Sequence, residues 1–472
     1  MTLIKSILLG TAAGMVVVSG AAQAADLPTK KAAPAADYVK ICNVNGMAGF
    51  IIPGSDTCLK IGGFVLGLYS YGNLKTQYKL NAAGTGYGPD PTLPPLPGPP
   101  PTPDLTGAGA ITGTAGRDSF GMSARVGLNF DTATNTAYGP LVTSVQIRGN
   151  ASSGDGSGIG QATGNGFALD HAWISWAGIT AGNHGSFYNG LGEGNLWDDY
   201  YTPDTGGNAA LLAYTATFGG GFSATIAAES TDGHRANVTD GNQLTNVYHG
   251  IQYPDAVVNL DLKQGWGEVS LSAAAHNSNI LLGQERGEPG SSGINKWGYG
   301  VNGGVKFNLP GFSGDPKNPD TITFQGDYSK GALKLSGYSA GNVIENGNGT
   351  LFTFVDQYEY LPGVWASPSA WSAAANMVHH FSPQLSLAPE ISYLSINYGS
   401  GPTDISTKLT SWKGGAIAHW YPLSSSALDF RFEVMYTRTT ESTPAAFIPN
   451  PAQPFVGTSD GFIARVGVER DF

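Results

Sequence analysis

The sequence has little charge, few cysteines and no long apolar run after its first residues. Only 12% of its 472 residues are charged, about half the share of a typical soluble protein. The 35 acidic residues outnumber the 24 basic ones, so the chain is not expected to bind nucleic acid. No later stretch approaches the ~20 apolar residues of a spanning helix, which excludes a helical inner-membrane protein.

Glycine, in contrast, is abundant. The chain has 68 glycines, about twice the usual share. Glycine is a poor helix former, so this composition disfavours a helical domain. A chain with so little charge also lacks an ordinary soluble surface, and we expect part of its surface to face lipid.

The first 24 residues, MTLIKSILLGTAAGMVVVSGAAQA, are typical of a secretory signal peptide. Lys5 precedes an apolar core, and Ala22, Gln23 and Ala24 form the small-residue pattern of a cleavage site. A membrane anchor would need a longer core. We predict cleavage after Ala24, which leaves 23 basic and 35 acidic residues and a formal charge of −12. Residues 25–40, rich in alanine, proline and lysine, then form a periplasmic leader.

The two cysteines, Cys42 and Cys58, enclose Asn-Gly and Pro-Gly turn signals. In an exported protein such a close pair predicts a disulfide, which stabilises the fold by roughly 3 kcal/mol. A metal site would need two further ligands nearby, and the first histidine is His171.

Apolar and polar residues alternate from Gly121 onward. In GMSARVGLNFD, Met122 and Ala124 stand on one face, and Ser123 and Arg125 stand on the other. Period two indicates a strand, and about ten residues cross a bilayer as a tilted strand. The apolar faces of four further segments contain Leu141, Val145 and Ile147; Val258, Leu260 and Leu262; Ile322, Phe324 and Tyr328; and Phe430, Phe432, Val434 and Tyr436.

Alternation alone does not separate a membrane barrel from a soluble sandwich. Short and long connections alternate, however, and the chain ends inside a strand that carries Phe472 on its apolar face. Aromatic residues also stand near strand ends, as interfacial girdles do. These are Tyr69, Tyr71, Trp173, Trp176, Trp297, Trp412, Trp420 and Tyr421. We therefore predict an all-β protein, a transmembrane antiparallel β-barrel.

The strand count depends on residues 321–337. A first segmentation breaks this segment at Lys330 and Gly331 and yields seventeen strands. An odd count would make the last strand parallel to the first and would place two long connections among the short turns. An even, closed barrel leaves no strand edge unpaired, so we treat the segment as one strand and predict 16 strands.

The longest predicted connection, residues 73–116, contains nine prolines between Pro89 and Pro103. Proline at this density cannot join a β-ladder and favours polyproline II. A ligand for a proline-binding domain has this composition too, but an exported chain would not meet one. We predict an exposed first external loop.

Several separated motifs resemble one family. The runs YVKICNVNGMAGFIIPGSDTCLKIGGFV, ITAGNHGSFYN, GIQYPDAVVNLDLKQGWGEVSLSAAAH and KWGYGVNGGVKFNLPG are similar to the outer-membrane porins of alphaproteobacteria, the Rhizobium and Brucella family. The resemblance extends from about Tyr38 to Phe472. We predict that the barrel itself comprises residues 41–472. It implies a homotrimer in outer-membrane lipid and passive diffusion of small hydrophilic solutes and ions, with no cofactor. The proline-rich loop and Arg470, in the terminal strand, depart from the family pattern.

The resemblance also implies that the third extracellular loop, residues 187–210, folds inward as a constriction. Its acidic residues are Glu193, Asp198, Asp199 and Asp204. By strand parity, the inward bases of the wall are Arg125, Arg148, Lys263, Arg431 and Arg465. Opposed charges at the narrowest ring would set selectivity. The alternative for each residue is that it lines a wide vestibule and has little effect.

Signals for an enzyme or a metal site are weak. A G-x-S-x-G pattern at residues 457–461 leads into a strand, whereas a nucleophile elbow leads into a helix. His379 and His380 are adjacent on a strand, and we expect them to point to opposite faces. We predict no metal site, although calcium held by loop acids stays open.

Three functions therefore stay open. The first is a general diffusion porin. The second is a substrate-selective channel of the same fold, suggested by Trp197, Tyr200 and Tyr201. The third is an outer-membrane hydrolase that would use Asp198 and Asp199.

Overall fold

The fold is seen in a computed structural model, which describes part of the chain. The described residues are 40–72, 120–153, 166–189, 191, 208–235, 237–239, 248, 250–281, 293–337, 343–345, 351–353, 355–361, 364–400, 406–423, 427–442 and 456–472. The chain divides into two units, Met1–Ile41 and Cys42–Phe472, and the second contains the barrel. No helix within the described residues is long and apolar enough to cross a bilayer.

The described residues form strands and three short 3-10 turns. The strands of the main sheet are β1 Ile41–Val44, β2 Met47–Ile51, β3 Cys58–Gly72, β4 Phe120–Thr136, β5 Gly139–Ser153, β6 Gly166–Trp176, β7 Ile179–Gly185, β8 Asn208–Gly219, β9 Phe222–Glu229, β11 Asp255–Gln264, β12 Gly267–Leu281, β13 Gly293–Leu309, β14 Asp320–Lys330, β19 Ser369–Ser382, β20 Leu385–Ser400, β21 Ser406–Trp420, β22 Leu428–Ser442 and β23 Val456–Asp471. Short strands in the connections are β10 Asn237–Thr239, β15 Val343–Glu345, β16 Leu351–Thr353, β17 Val355–Leu361 and β18 Val364–Ala366. The 3-10 turns are Phe187–Asn189, Thr231–Gly233 and Leu333–Ser336.

Sixteen of these strands form a closed antiparallel barrel, β3–β9, β11–β14 and β19–β23. The ring closes where β23 pairs with β3, with Val466 opposite Tyr69. The terminal residue completes this seam, because Gly63 and Phe472 exchange two backbone hydrogen bonds of 3.0 Å. The predicted fold class and strand count are confirmed.

The predicted merger of residues 321–337 into one strand is wrong, although the count it supported is right. The β14 ladder ends at Lys330. Gly331 then adopts φ +65°, a left-handed conformation outside the strand region, and Leu333–Ser336 form a 3-10 turn. A second wall strand does not form here, because the chain leaves the sheet after Lys330.

The barrel wall has an apolar outer face and a largely polar inner face. On β22, the outward Phe432, Val434 and Tyr436 are 47%, 60% and 48% exposed, whereas the inward Glu433 and Met435 are 2% exposed. A wide apolar outer band is what a bilayer requires. The strands run from seven residues in β7 to 17 in β4 and β13, and most are longer than the predicted ten.

The long connections lie at one end of the barrel, as predicted. At the other end, the strands are joined by residues 137–138, 177–178, 220–221, 265–266, 310–319, 383–384 and 421–427. The predicted signal peptide, all but the last residue of the leader and the proline-rich loop lie outside the described residues.

A small hairpin extends the wall at the short-turn end. Strands β1 and β2 pair with each other, and β2 joins β3 through Phe50 opposite Leu59 and Ile51 opposite Cys58. The disulfide between Cys42 and Cys58 spans this hairpin, which confirms the predicted pairing.

Candidate functional site

The third loop, residues 186–207 between β7 and β8, begins on the inner face of the barrel. Tyr188 is fully buried and packs with Val257 and Ala274, inward residues of β11 and β12. Its carbonyl accepts a hydrogen bond from the amide group of Asn302 on β13. The chain thus turns across the inner wall as it leaves β7.

Two inward glycines of β13 make room for this path. A Cβ atom at Gly300 would lie 2.7 Å from the Tyr188 hydroxyl, and one at Gly304 would lie 2.7 Å from Cδ1 of Leu191. Real Cβ atoms do not approach other atoms so closely, so any side chain at these positions would force the Tyr188 or Leu191 side chain to shift. Sequence reasoning missed this role, although the inward parity of both glycines in KWGYGVNGGVKF was readable.

The four predicted acids, Glu193, Asp198, Asp199 and Asp204, lie outside the described residues. Their constriction role stays a prediction. Strand β8 begins at Asn208, so the loop ends at residue 207 and not at 210.

Two of the predicted bases share one stretch of the inner wall. Arg125 on β4 donates from Nε to Oδ1 of Asn150 at 2.8 Å. Arg148 on β5 forms an ion pair with Asp170 on β6, Nη1 to Oδ1 2.6 Å. Arg148 keeps 36% of its side chain exposed, so its charge reaches the lumen.

The other three bases lie elsewhere on the inner face. Lys263 pairs with Glu268 at 2.9 Å beside a short turn, with its side chain 67% exposed. Arg431 contacts Asp429 and Glu469 near the same end of the barrel. Their assignment to the inner face agrees with the strand pattern, whereas their effect on permeation stays a prediction.

Arg465 differs from the other bases in its burial. Its Nη1 lies 2.6 Å from Oε1 of Glu433, and both side chains are 0% exposed. Because both side chains are buried, we interpret this ion pair as a structural contact between neighbouring wall strands.

An inner aromatic stack was missed. Trp173 meets His184 edge-on at 5.1 Å between ring centroids, and His184 stacks on Phe187 at 5.4 Å. Trp173 was predicted in the outer girdle, where Trp176, Trp297 and Trp412 are indeed exposed. It stands instead on the inner face beside the start of the third loop.

A serine, a histidine and an aspartate also meet at the start of this loop. Nε2 of His234 lies 3.2 Å from the Ser186 hydroxyl, and Nδ1 lies 2.7 Å from Oδ2 of Asp255. The order of groups matches a hydrolase triad. However, Oε2 of Glu229 lies 3.3 Å from the same Nε2, and Ser186 already accepts the Tyr188 amide hydrogen at 3.0 Å.

The burial of these residues argues further against a nucleophile. Ser186 is 6% exposed, His234 1% and Asp255 0%. A substrate carbonyl would need access to the hydroxyl and nearby oxyanion donors. The arrangement instead holds the loop against the wall.

Within the part of the chain that the structure describes, no three histidine, cysteine or acidic side chains are placed to hold a metal ion. His379 and His380 do share one partner, the Asp320 carboxylate at the end of the neighbouring strand. The sequence predicted only that they point to opposite faces of the strand. An acceptor at a strand end can nevertheless be reached from both faces.

Comparison with known proteins identifies the family. A family model described as the porin subfamily matches residues 26–453. The chain belongs to the porin subfamily. Porin Omp2b of Brucella neotomae is 27% identical over 401 residues, which cover 83% of this chain and 92% of that porin. Porin Omp2b of Brucella abortus strain 2308 is 26% identical with the same coverage.

The fold agrees with a solved porin-like structure. The outer membrane channel DcaP of Acinetobacter baumannii superimposes with a TM-score of 0.51 at 13% identity, covering 90% of this chain and all of DcaP. The chain is thus an outer-membrane porin channel, a class of channels and not of enzymes. In such porins the short turns face the periplasm and the long loops face outward, so the third loop begins at the outer end of the barrel.

Proposed function

We propose that this porin passes small hydrophilic solutes and ions by passive diffusion through a lumen narrowed by its third loop. The observation that carries this proposal is the path of Phe187 to Leu191 across the inner wall to Gly304 on β13. A loop that starts on the inner wall is in a position to narrow the lumen.

The position of β13 supports opposed charges across the pore. In the ring of sixteen, β4 is the second strand and β13 the tenth, so seven strands lie between them on either side. The loop thus docks opposite the wall that carries Arg125 and Arg148. With Glu193, Asp198, Asp199 and Asp204 on the loop, a transverse field would cross the narrowest part.

Planar-bilayer recording tests this proposal. Wild-type protein should give stepwise conductance. If the folded protein gives no conductance, the proposed diffusion function is wrong. In a salt gradient, Asp198→Asn and Asp199→Asn should shift the reversal potential toward anion preference, and Arg148→Gln should shift it toward cations. The control Lys263→Gln, at the periplasmic turn, should shift it less. An unmoved potential in both aspartate variants would place the constriction elsewhere.

A substrate-selective channel is the second candidate, favoured by the contacting rings of Trp173, His184 and Phe187. An aromatic face on a pore wall attracts solutes with apolar ring faces, such as sugars. If the channel is selective, sugars should reduce the ion current in a saturable way, and Trp173→Ala should abolish the block. Equal currents with and without sugar would leave general diffusion.

We further propose export by the signal peptide 1–24, which agrees with the outer-membrane class, and assembly as a homotrimer, which the family resemblance suggests. Amino-terminal sequencing should begin at Ala25. Native mass spectrometry in detergent should give three times the monomer mass, and a monomer alone would contradict the trimer.

A further inference from the structure

A second connection also folds onto the inner wall. The sixth loop, residues 331–368 between β14 and β19, begins with the 3-10 turn Leu333–Ser336. Ala332, Leu333, Leu335 and Ser336 are each 0% exposed. The Ser336 hydroxyl lies 2.6 Å from that of Ser329, an inward residue of β14, so the turn is held inside the barrel.

The turn packs directly against the third loop. Leu335 and Ala332 form one buried cluster with Tyr188, Val257 and Ala274. Gly300 lies beneath both loops, since a Cβ atom there would be 2.7 Å from Tyr188 Oη and 2.8 Å from Leu335 Cδ1. The third and sixth loops therefore contact the same position of β13, Gly300.

Asp356 ties the sixth loop to the wall. Its Oδ1 accepts the Leu333 amide hydrogen at 2.7 Å. Its Oδ2 lies 3.6 Å from Nε2 of His276 on β12 and accepts a hydrogen bond from the Tyr248 hydroxyl at 3.1 Å. Burial, and then the charge of Asp356, raise the pKa of Tyr248 well above its usual value, so this hydroxyl remains a donor.

The same chain of contacts continues to the third loop. His276 Nδ1 lies 2.9 Å from Oδ2 of Asp255, and that oxygen lies 2.7 Å from Nδ1 of His234. His234 in turn contacts Ser186. Glu229 accepts the Phe187 amide hydrogen at 2.9 Å. Buried polar groups are expensive to leave unpaired, so each contact constrains the next.

We infer that the sixth loop, through Leu335 and Asp356, positions the third loop and so sets the width and selectivity of the pore. The inference rests on the proposed function, because it takes the third loop as the constriction. Leu335 packs against Tyr188 and limits the movement of its side chain. Asp356 connects the turn that contains Leu335 to His276 of β12.

The test compares variants of Leu335 and Asp356 in planar bilayers. Leu335→Ala removes the side chain that packs against Tyr188, so the third loop should be held less tightly against the wall. Conductance should then rise by about 1.5-fold or more, because current follows the pore cross-section. The reversal potential and the open-channel noise should also change. Leu335→Met, which conserves volume, should restore wild-type values. Asp356→Asn should give a smaller change in the same direction.

Ile417→Ala is the matched control. Ile417 is 1% exposed and faces inward on β21, but it packs with Ala388 and Val378, away from Tyr188. Its truncation should destabilise the barrel like Leu335→Ala and leave selectivity unchanged. Heat-dependent gel mobility verifies that each barrel is folded, and Leu335→Val serves if the alanine variant does not fold.

The outcomes separate the two proposals. A wild-type protein without conductance would overturn the diffusion channel and, with it, this inference. A conducting wild type whose Leu335→Ala variant matches Ile417→Ala would overturn the inference alone, since the third loop would then be held without the sixth.

Discussion

Arg465 and Glu433 face each other across the ladder between β23 and β22, with Nη1 2.6 Å from Oε1 and neither side chain exposed. Desolvation of two charges offsets much of their attraction. The pair therefore contributes little net stability by its presence. Loss of one partner, however, removes this attraction from a charge that stays buried.

Arg465→Met is accordingly expected to lower the free energy of unfolding by about 3–5 kcal/mol. Arg148→Met, at a pair whose arginine is 36% exposed, should change it by about 1 kcal/mol or less. Urea unfolding in detergent micelles measures both. The double variant Arg465→Met with Glu433→Leu should recover most of the loss. Equal losses for Arg465→Met and Arg148→Met would show that burial does not control the effect.

Much of the wall was predictable because one physical rule governs it. Outward residues meet lipid and inward residues meet polar contacts, so alternation assigned faces to β4, β5, β11, β14 and β22. The rule failed in β6, where a bulge leaves Asp170 unpaired between Leu169 and His171. Leu169 faces outward, but the extra residue reverses the parity, and Trp173 turns inward. A bulge of this kind has no signature in the local sequence.

The site was less predictable than the wall. Strand parity assigned both Arg148 and Arg465 to the inner face. The side chain of Arg148 is 36% exposed, however, whereas that of Arg465 is fully buried. Cross-strand partners contribute to that difference, and they depend on contacts between residues distant in the sequence. The same holds for Tyr188 and Leu335, which meet only because two loops fold onto one strand.

Gly182 should resist substitution. Its φ is +122°, and a Cβ atom there would lie 2.3 Å from the Ala172 carbonyl oxygen. Gly182→Ala is expected to destabilise the protein by about 1 kcal/mol or more, because the backbone conformation is incompatible with a side chain. Gly67→Ala is the control, since nothing lies within 4 Å of that position. If urea unfolding ranks Gly67→Ala as equally harmful, the strain argument is wrong.

The outer face can be tested by placing a charge on it. Val434 is 60% exposed at the middle of β22, and Val434→Arg should cost about 2–4 kcal/mol of folding free energy in lipid. Arg470 lies at the periplasmic end of β23, where a charge is tolerated, so Arg470→Leu should change stability by about 1 kcal/mol or less. Unfolding in phospholipid vesicles measures both. A harmless Val434→Arg would mean that this face does not contact lipid.

The disulfide should stabilise the protein without affecting permeation. It closes a segment of sequence separation 16 and holds a hairpin that joins β3 through two residue pairs only. Replacing both cysteines, Cys42→Ser with Cys58→Ser, should lower the free energy of unfolding by about 3 kcal/mol. A reducing agent should do the same to the wild type and nothing to the variant. Conductance should be unchanged, because the hairpin lies at the periplasmic end, and a changed conductance would place the hairpin in the permeation path.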